Sequence, residues 1–82
     1  MKVSLMTPQQ VVFSGDAQDV LLNAHKGQIN ILEKHADLIT TLAAGPLRIR
    51  TGTHEKNYNI SGGVMRVQGE RCSILCMSAQ EA

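Results

Sequence analysis

Apolar and polar positions alternate with a period of two over most of this chain, in short runs punctuated by glycine, proline or charge. Val3 and Leu5 alternate with Lys2 and Ser4 until Thr7-Pro8-Gln9-Gln10 interrupts, which predicts a strand and a turn. Extended structure resumes at Gln10-Val11-Val12-Phe13 and ends at Ser14-Gly15-Asp16. The run Val20-Leu21-Leu22 has strand length rather than helix length, and His25-Lys26-Gly27 reads as a polar turn. From Gln28 to Leu32 the pattern puts Ile29 and Ile31 on one face.

Glu33 to Asp37 is a polar link around His35, and Leu38-Ile39-Thr40-Thr41-Leu42 has strand composition. A helix over 33–44 is the rival reading, weakened by the β-branched Ile39, Thr40 and Thr41. Ala44-Gly45-Pro46 predicts a turn. Leu47, Ile49 and Thr51 alternate with Arg48 and Arg50 as a half-buried strand. A hairpin connection at Thr51–His54 leads to Glu55–Ile60, with Tyr58 and Ile60 on one face. Strands at Val64–Gln68 and Cys72–Met77 follow, joined by a Gly69-Glu70 reversal, and Ser78–Ala82 reads as a polar tail. Eight to ten short strands without a strong helix predict an all-β fold. The form expected is a flattened antiparallel β-sandwich or barrel of about ten short strands, with 1–82 as one domain.

Composition narrows the function. Eighty-two residues suffice for a single domain, and one that buries only roughly 60–65% of its unfolded surface. A net charge of +1 with no basic stripe argues against nucleic-acid binding, and two aromatics, Phe13 and Tyr58, make no stacking platform. No apolar run reaches the roughly 18 residues of a membrane helix. Met1–Thr7 enters alternation at once, so no signal peptide is expected and a cytoplasmic location is.

Candidate chemistry is sparse. Cys72 and Cys76 share a face of one strand roughly 13 Å apart, too far for a disulfide, and read as buried packing residues. Ser61-Gly62-Gly63 lacks the frame of a phosphate loop or a serine elbow. Gly62 and Gly63 are therefore expected to be structural, marking a bulge or a close backbone approach. Nothing in the spacing of His35, Asp37 and Ser61 orients a triad. His25, His35, His54 and the cysteines match no common zinc spacing. Arg48 and Arg50, with His54, leave an anion- or small-ligand-binding β domain as the alternative function. No catalytic residue, metal ligand or cofactor is expected.

Three segments carry a family resemblance: Thr7-Pro8-Gln9-Gln10-Val11-Val12-Phe13-Ser14-Gly15; Gly27 through Ile31-Leu32, His35-Ala36, Leu38-Ile39-Thr40 and Leu42 to Gly45; and Tyr58-Asn59-Ile60-Ser61-Gly62-Gly63. Their order and spacing resemble the N-terminal domain of the epsilon subunit of rotary F-type ATP synthase, called delta in mitochondria. The resemblance implies a non-catalytic central-stalk subunit that binds the gamma subunit and the polar loops of the c-ring. Such a subunit couples proton or sodium flow to ATP synthesis or hydrolysis. It would lie at the cytoplasmic face of a bacterial inner membrane, touching the membrane only through the complex. Carried over by position, Lys26, Gly27, Gln28 and Ile29 would face the c-ring, with Ile29 an apolar anchor if exposed. Thr7, His35 and Thr40 would face gamma.

The chain departs from the family pattern in three places. Leu22-Asn23-Ala24 stands where Leu-Pro-Gly is usual. Glu33-Lys34 and Asp37 replace Pro-Gly and Pro around His35, and Gln28 replaces an often acidic residue. The family's C-terminal helical hairpin, which carries inhibition of ATP hydrolysis, is absent from these residues, so that action is not assigned to them.

Overall fold

The computed structural model describes all 82 residues as nine strands without a helix. In chain order these are β1 (Lys2–Met6), β2 (Val11–Asp16), β3 (Asp19–Ala24), β4 (Gly27–Leu32), β5 (Leu38–Thr51), β6 (His54–Ile60), β7 (Gly63–Gln68), β8 (Arg71–Cys76) and β9 (Ala79–Glu81). One continuous sheet runs β2-β1-β8-β7-β5-β3-β4, with β6 on the second half of β5 and β9 on β6. The sheet curls on itself as a half-barrel with two layers. The first half of β5 pairs β7 in one layer, and its second half pairs β3 and β6 in the other.

Three details depart from the sequence expectation. The nine strands fall within the eight to ten expected, but the tail is not free: Ala79–Glu81 forms β9 against Tyr58–Ile60. The sheet is not wholly antiparallel, because β1 and β8, far apart in sequence, pair in parallel from Lys2↔Arg71 to Met6↔Leu75. The predicted turn at Ala44-Gly45-Pro46 is part of a 14-residue strand. On β3, Leu22 opposes Leu47 while Ala24 opposes Leu42, so the residues between form a bulge against Asn23. Gly45 has φ 143°, and a Cβ there would come within 3.3 Å of the Asn23 amide. The bulge bends β5 from one layer to the other without ending it.

Alternation builds the core. In the first layer Leu5, Ile74 and Met65 lie in one cross-strand row, all fully buried, and Val3, Cys72 and Val67 form the next. In the second layer Val20, Ile31 and Ile49 meet in a fully buried row. Each such side chain removed from water contributes about 1.5–3 kcal/mol. Cys72 and Cys76 are both buried free thiols within this core.

Candidate partner-binding surfaces

One row of outward positions across β2, β1, β8 and β7 is apolar, while its neighbours, such as Ser4, Ser73 and Arg66, are polar as solvent-facing strand residues normally are. Register places Val64 opposite Leu75, Leu75 opposite Met6 and Met6 opposite Val11, a continuous row across four strands. Val11, Val64 and Leu75 are 59%, 47% and 52% exposed, and Thr41 continues the row onto β5. One row away, Ile39 is 70% exposed opposite Arg66. Sequence reading passed over this face. Its signal was apolar residues at the polar parity: Leu75 between the buried Ile74 and Cys76, and Val64 beside the buried Met65. A bulge between Leu5 and Met6 turns Met6 and Val11 to the same side.

The four residues expected to face the c-ring lie in the β3–β4 turn and at the start of β4. Ala24 pairs Gly27 across a His25-Lys26 turn, and Gly27 adopts φ 130°, which glycine tolerates. Lys26, Gly27 and Gln28 are exposed. Ile29 is not a free anchor: it is half-buried and packs on the core, because it shares the inward face with Ile31. His25 Nδ1 lies 2.7 Å from Thr41 Oγ1 and ties the turn to the outward face of β5.

Thr7, His35 and Thr40 do not form one cluster. Thr7 follows β1 and closes a turn with Gln10 by reciprocal backbone bonds of 2.9 and 3.3 Å. That end of the sheet also carries the β3–β4 turn, since Ala24 opposes Leu42. His35 stands at the opposite end, before Leu38, in the link from β4 to β5. Thr40 is opposite the fully buried Met65, so it is Thr41 that points outward.

Within the link, the His35 N–H bonds the Leu32 carbonyl at 3.2 Å, and His35 Nδ1 is 2.7 Å from the Ala36 carbonyl. A carbonyl only accepts, so Nδ1 carries the proton and neutral His35 leaves Nε2 as an acceptor. Lys34 has φ 64° and is the one non-glycine residue with positive φ.

Gly62 and Gly63 stand at the junction of β6 and β7. At Gly63 a Cβ would run into the Leu75 carbonyl and come within 2.9 Å of the Cys76 Cα; at Gly62 it would be 3.0 Å from the Leu42 carbonyl. The arginines considered as anion ligands are already engaged. Arg48 and Arg50 approach the buried Asp19 at 3.7 and 3.6 Å, and Arg48 also lies 3.9 Å from Glu55. Asp19 Oδ1 and Arg48 Nε have no hydrogen-bond partner, so charge rather than directed bonding holds the group. Burial pushes the Cys72 thiol up to about 11 and raises Cys76. Tyr58 is raised by burial and then by the Glu81 charge.

The family model for the ATP synthase delta/epsilon chain, beta-sandwich domain, matches residues 1–82. This chain belongs to that family. The epsilon chain of Brevibacillus brevis ATP synthase is 40% identical over 81 residues, covering 98% of this chain and 61% of the relative. The chloroplastic epsilon chain of Emiliania huxleyi is 32% identical, covering 99% and 62%. The chain thus spans about three fifths of the length of these epsilon chains. Among solved structures, the fold superposes on a chain of the Euglena gracilis mitochondrial ATP synthase OSCP/F1/c-ring assembly. The TM-score is 0.91 at 21% identity, covering 96% of this chain and 51% of that one. A chain of the Tetrahymena thermophila central stalk and c-ring gives 0.84 at 23% identity, covering 96% and 64%. These two likenesses establish the delta/epsilon fold.

Proposed function

We propose that this domain is a non-catalytic rotor element of F-type ATP synthase that docks on the gamma subunit through the outward apolar face of β2, β1, β8 and β7. The observation that carries the reading is the row Val11, Met6, Leu75 and Val64, with Ile39 beside it. Interfaces of this kind draw their affinity from a few apolar anchors at the centre of a polar rim. Thr7 and His35 border the face at its two ends, and on β5 the outward-pointing Thr41, rather than its neighbour Thr40, lies on it. The exposed Lys26, Gly27 and Gln28, at the Thr7 end, meet the polar loops of the c-ring. With gamma and the c-ring both engaged, the domain couples ion-driven rotation to ATP synthesis or hydrolysis. It does so at the cytoplasmic face of a bacterial inner membrane, as a peripheral member of the complex, and needs no cofactor.

The test is binding to purified gamma measured by calorimetry or surface plasmon resonance. Leu75→Asp and Val64→Asp change exposed side chains and should leave the fold intact. Each should weaken the complex about tenfold or more, the scale of an interface anchor. No binding by the wild-type domain, or variants that both bind as tightly as wild type, sinks the proposal.

A further inference from the structure

We propose that Asp37 is a positioning residue for the gamma-facing surface, its carboxylate latching the β4–β5 link onto the β7–β8 turn. The inference rests on the reading that the outward face receives gamma. The link, residues 33–37, contains no proline, so no ring fixes its φ angles. Asp37 Oδ1 accepts the Gly69 N–H at 3.0 Å, joining positions 32 residues apart in the chain. Gly69 is the first residue of the two-residue turn between Gln68 and Arg71 and has φ 60°. A carboxylate acceptor makes this a charge-assisted bond, stronger than a neutral one at the same exposed position.

The position of the latch gives it consequence. Asp37 directly precedes β5, two residues before Ile39, and Leu38 pairs Val67. Asp37, Leu38, Ile39, Arg66, Val67 and Gln68 line a shallow depression of about 390 Å³ at this end of the outward face. Holding Asp37 therefore fixes where β5 starts. The other carboxylate of the link, Glu33, lies 3.4 Å from the Met1 amine, so it ties the start of the link to the N-terminus rather than to the β7–β8 turn. A link ordered before binding spares the complex the entropic cost of ordering it on contact.

Two measurements decide the matter. In gamma binding, Asp37→Ala should weaken the complex about five- to tenfold, while Asp37→Asn, which keeps an oxygen acceptor, should stay within about twofold of wild type. Equal affinity of Asp37→Ala and wild type overturns the proposal, as does an Asn variant as weak as the Ala variant. In the free domain, exchange of the Gly69 amide should quicken about fivefold in Asp37→Ala and be largely restored in Asp37→Asn; unchanged exchange also overturns it. If the wild-type domain does not bind gamma at all, the proposed function fails, and the latch is then judged by the Gly69 exchange alone.

Discussion

His25 Nδ1 lies 2.7 Å from Thr41 Oγ1, and this one contact joins the turn between β3 and β4 to the outward face of β5. Two regions proposed to meet different partners, the c-ring and gamma, are thereby adjacent and bonded to each other. Both groups are exposed, so the bond competes with water and contributes at most about 1 kcal/mol. Thr41→Val keeps the shape and removes the hydroxyl. It should lower the melting temperature by no more than about 4–8 °C. Amide exchange at Lys26 and Gly27 should quicken at the same time. Unchanged exchange would show that the turn is held without this contact.

Gly63 is required by a close approach of two backbones. A Cβ there meets the Leu75 carbonyl and lies 2.9 Å from the Cys76 Cα, and neither can yield without breaking the β7–β8 pairing. Gly63→Val should cost upwards of about 3 kcal/mol, the range of severe backbone or packing faults. Gly52→Ala has open space at its Cβ but φ 61°, and should cost only about 1 kcal/mol, for conformation alone. Chemical denaturation of the two variants separates the mechanisms; a Gly63→Val domain no less stable than Gly52→Ala contradicts the geometry.

Lys34 holds φ 64° at a position where the family resemblance leads one to expect glycine. The left-handed conformation costs a residue with a Cβ about 1–2 kcal/mol. Glycine relieves this but adds about 0.4–1 kcal/mol of freedom to the unfolded chain. Lys34→Gly should therefore raise stability by a few tenths to about 1 kcal/mol, and Lys34→Val should lower it. A loss of stability on Lys34→Gly would mean that the lysine side chain makes a contribution larger than the strain.

The buried thiols predict a loss of stability in alkali. Cys72 ordinarily titrates at 9.0 and is pushed up to about 11 by burial, so between these values the unfolded chain has lost a proton that the folded chain keeps. Stability due to this group is complete below about pH 9 and falls as pH rises towards 11. The whole effect is about 3 kcal/mol, and Cys76 and Tyr58, also raised, add to it in the same direction. Cys72→Ala should flatten the decline between pH 9 and 11 in denaturant titrations. An equal slope in the variant would assign the alkaline loss elsewhere.

Much of the fold was legible along the chain because a strand with one buried face must alternate. Cys72, Ile74 and Cys76, like Ile29 with Ile31 and Tyr58 with Ile60, showed their shared faces in their spacing alone. Ordered motifs likewise pointed to the delta/epsilon family, whose model spans residues 1–82. What alternation cannot specify is which strand lies beside which, since register between distant segments is set by how the whole core closes. The parallel pairing of Lys2–Met6 with Arg71–Leu75 left no local mark. Nor did the passage of β5 through Gly45-Pro46, where turn chemistry was used for a bulge because β7, β3 and β6 hold the strand on either side. The surface proposed for gamma belongs to this second class. Val11, Met6, Leu75 and Val64 are isolated exceptions to parity in sequence, and only the long-range parallel pairing of β1 with β8, which joins the β1–β2 and β7–β8 hairpins, sets them side by side.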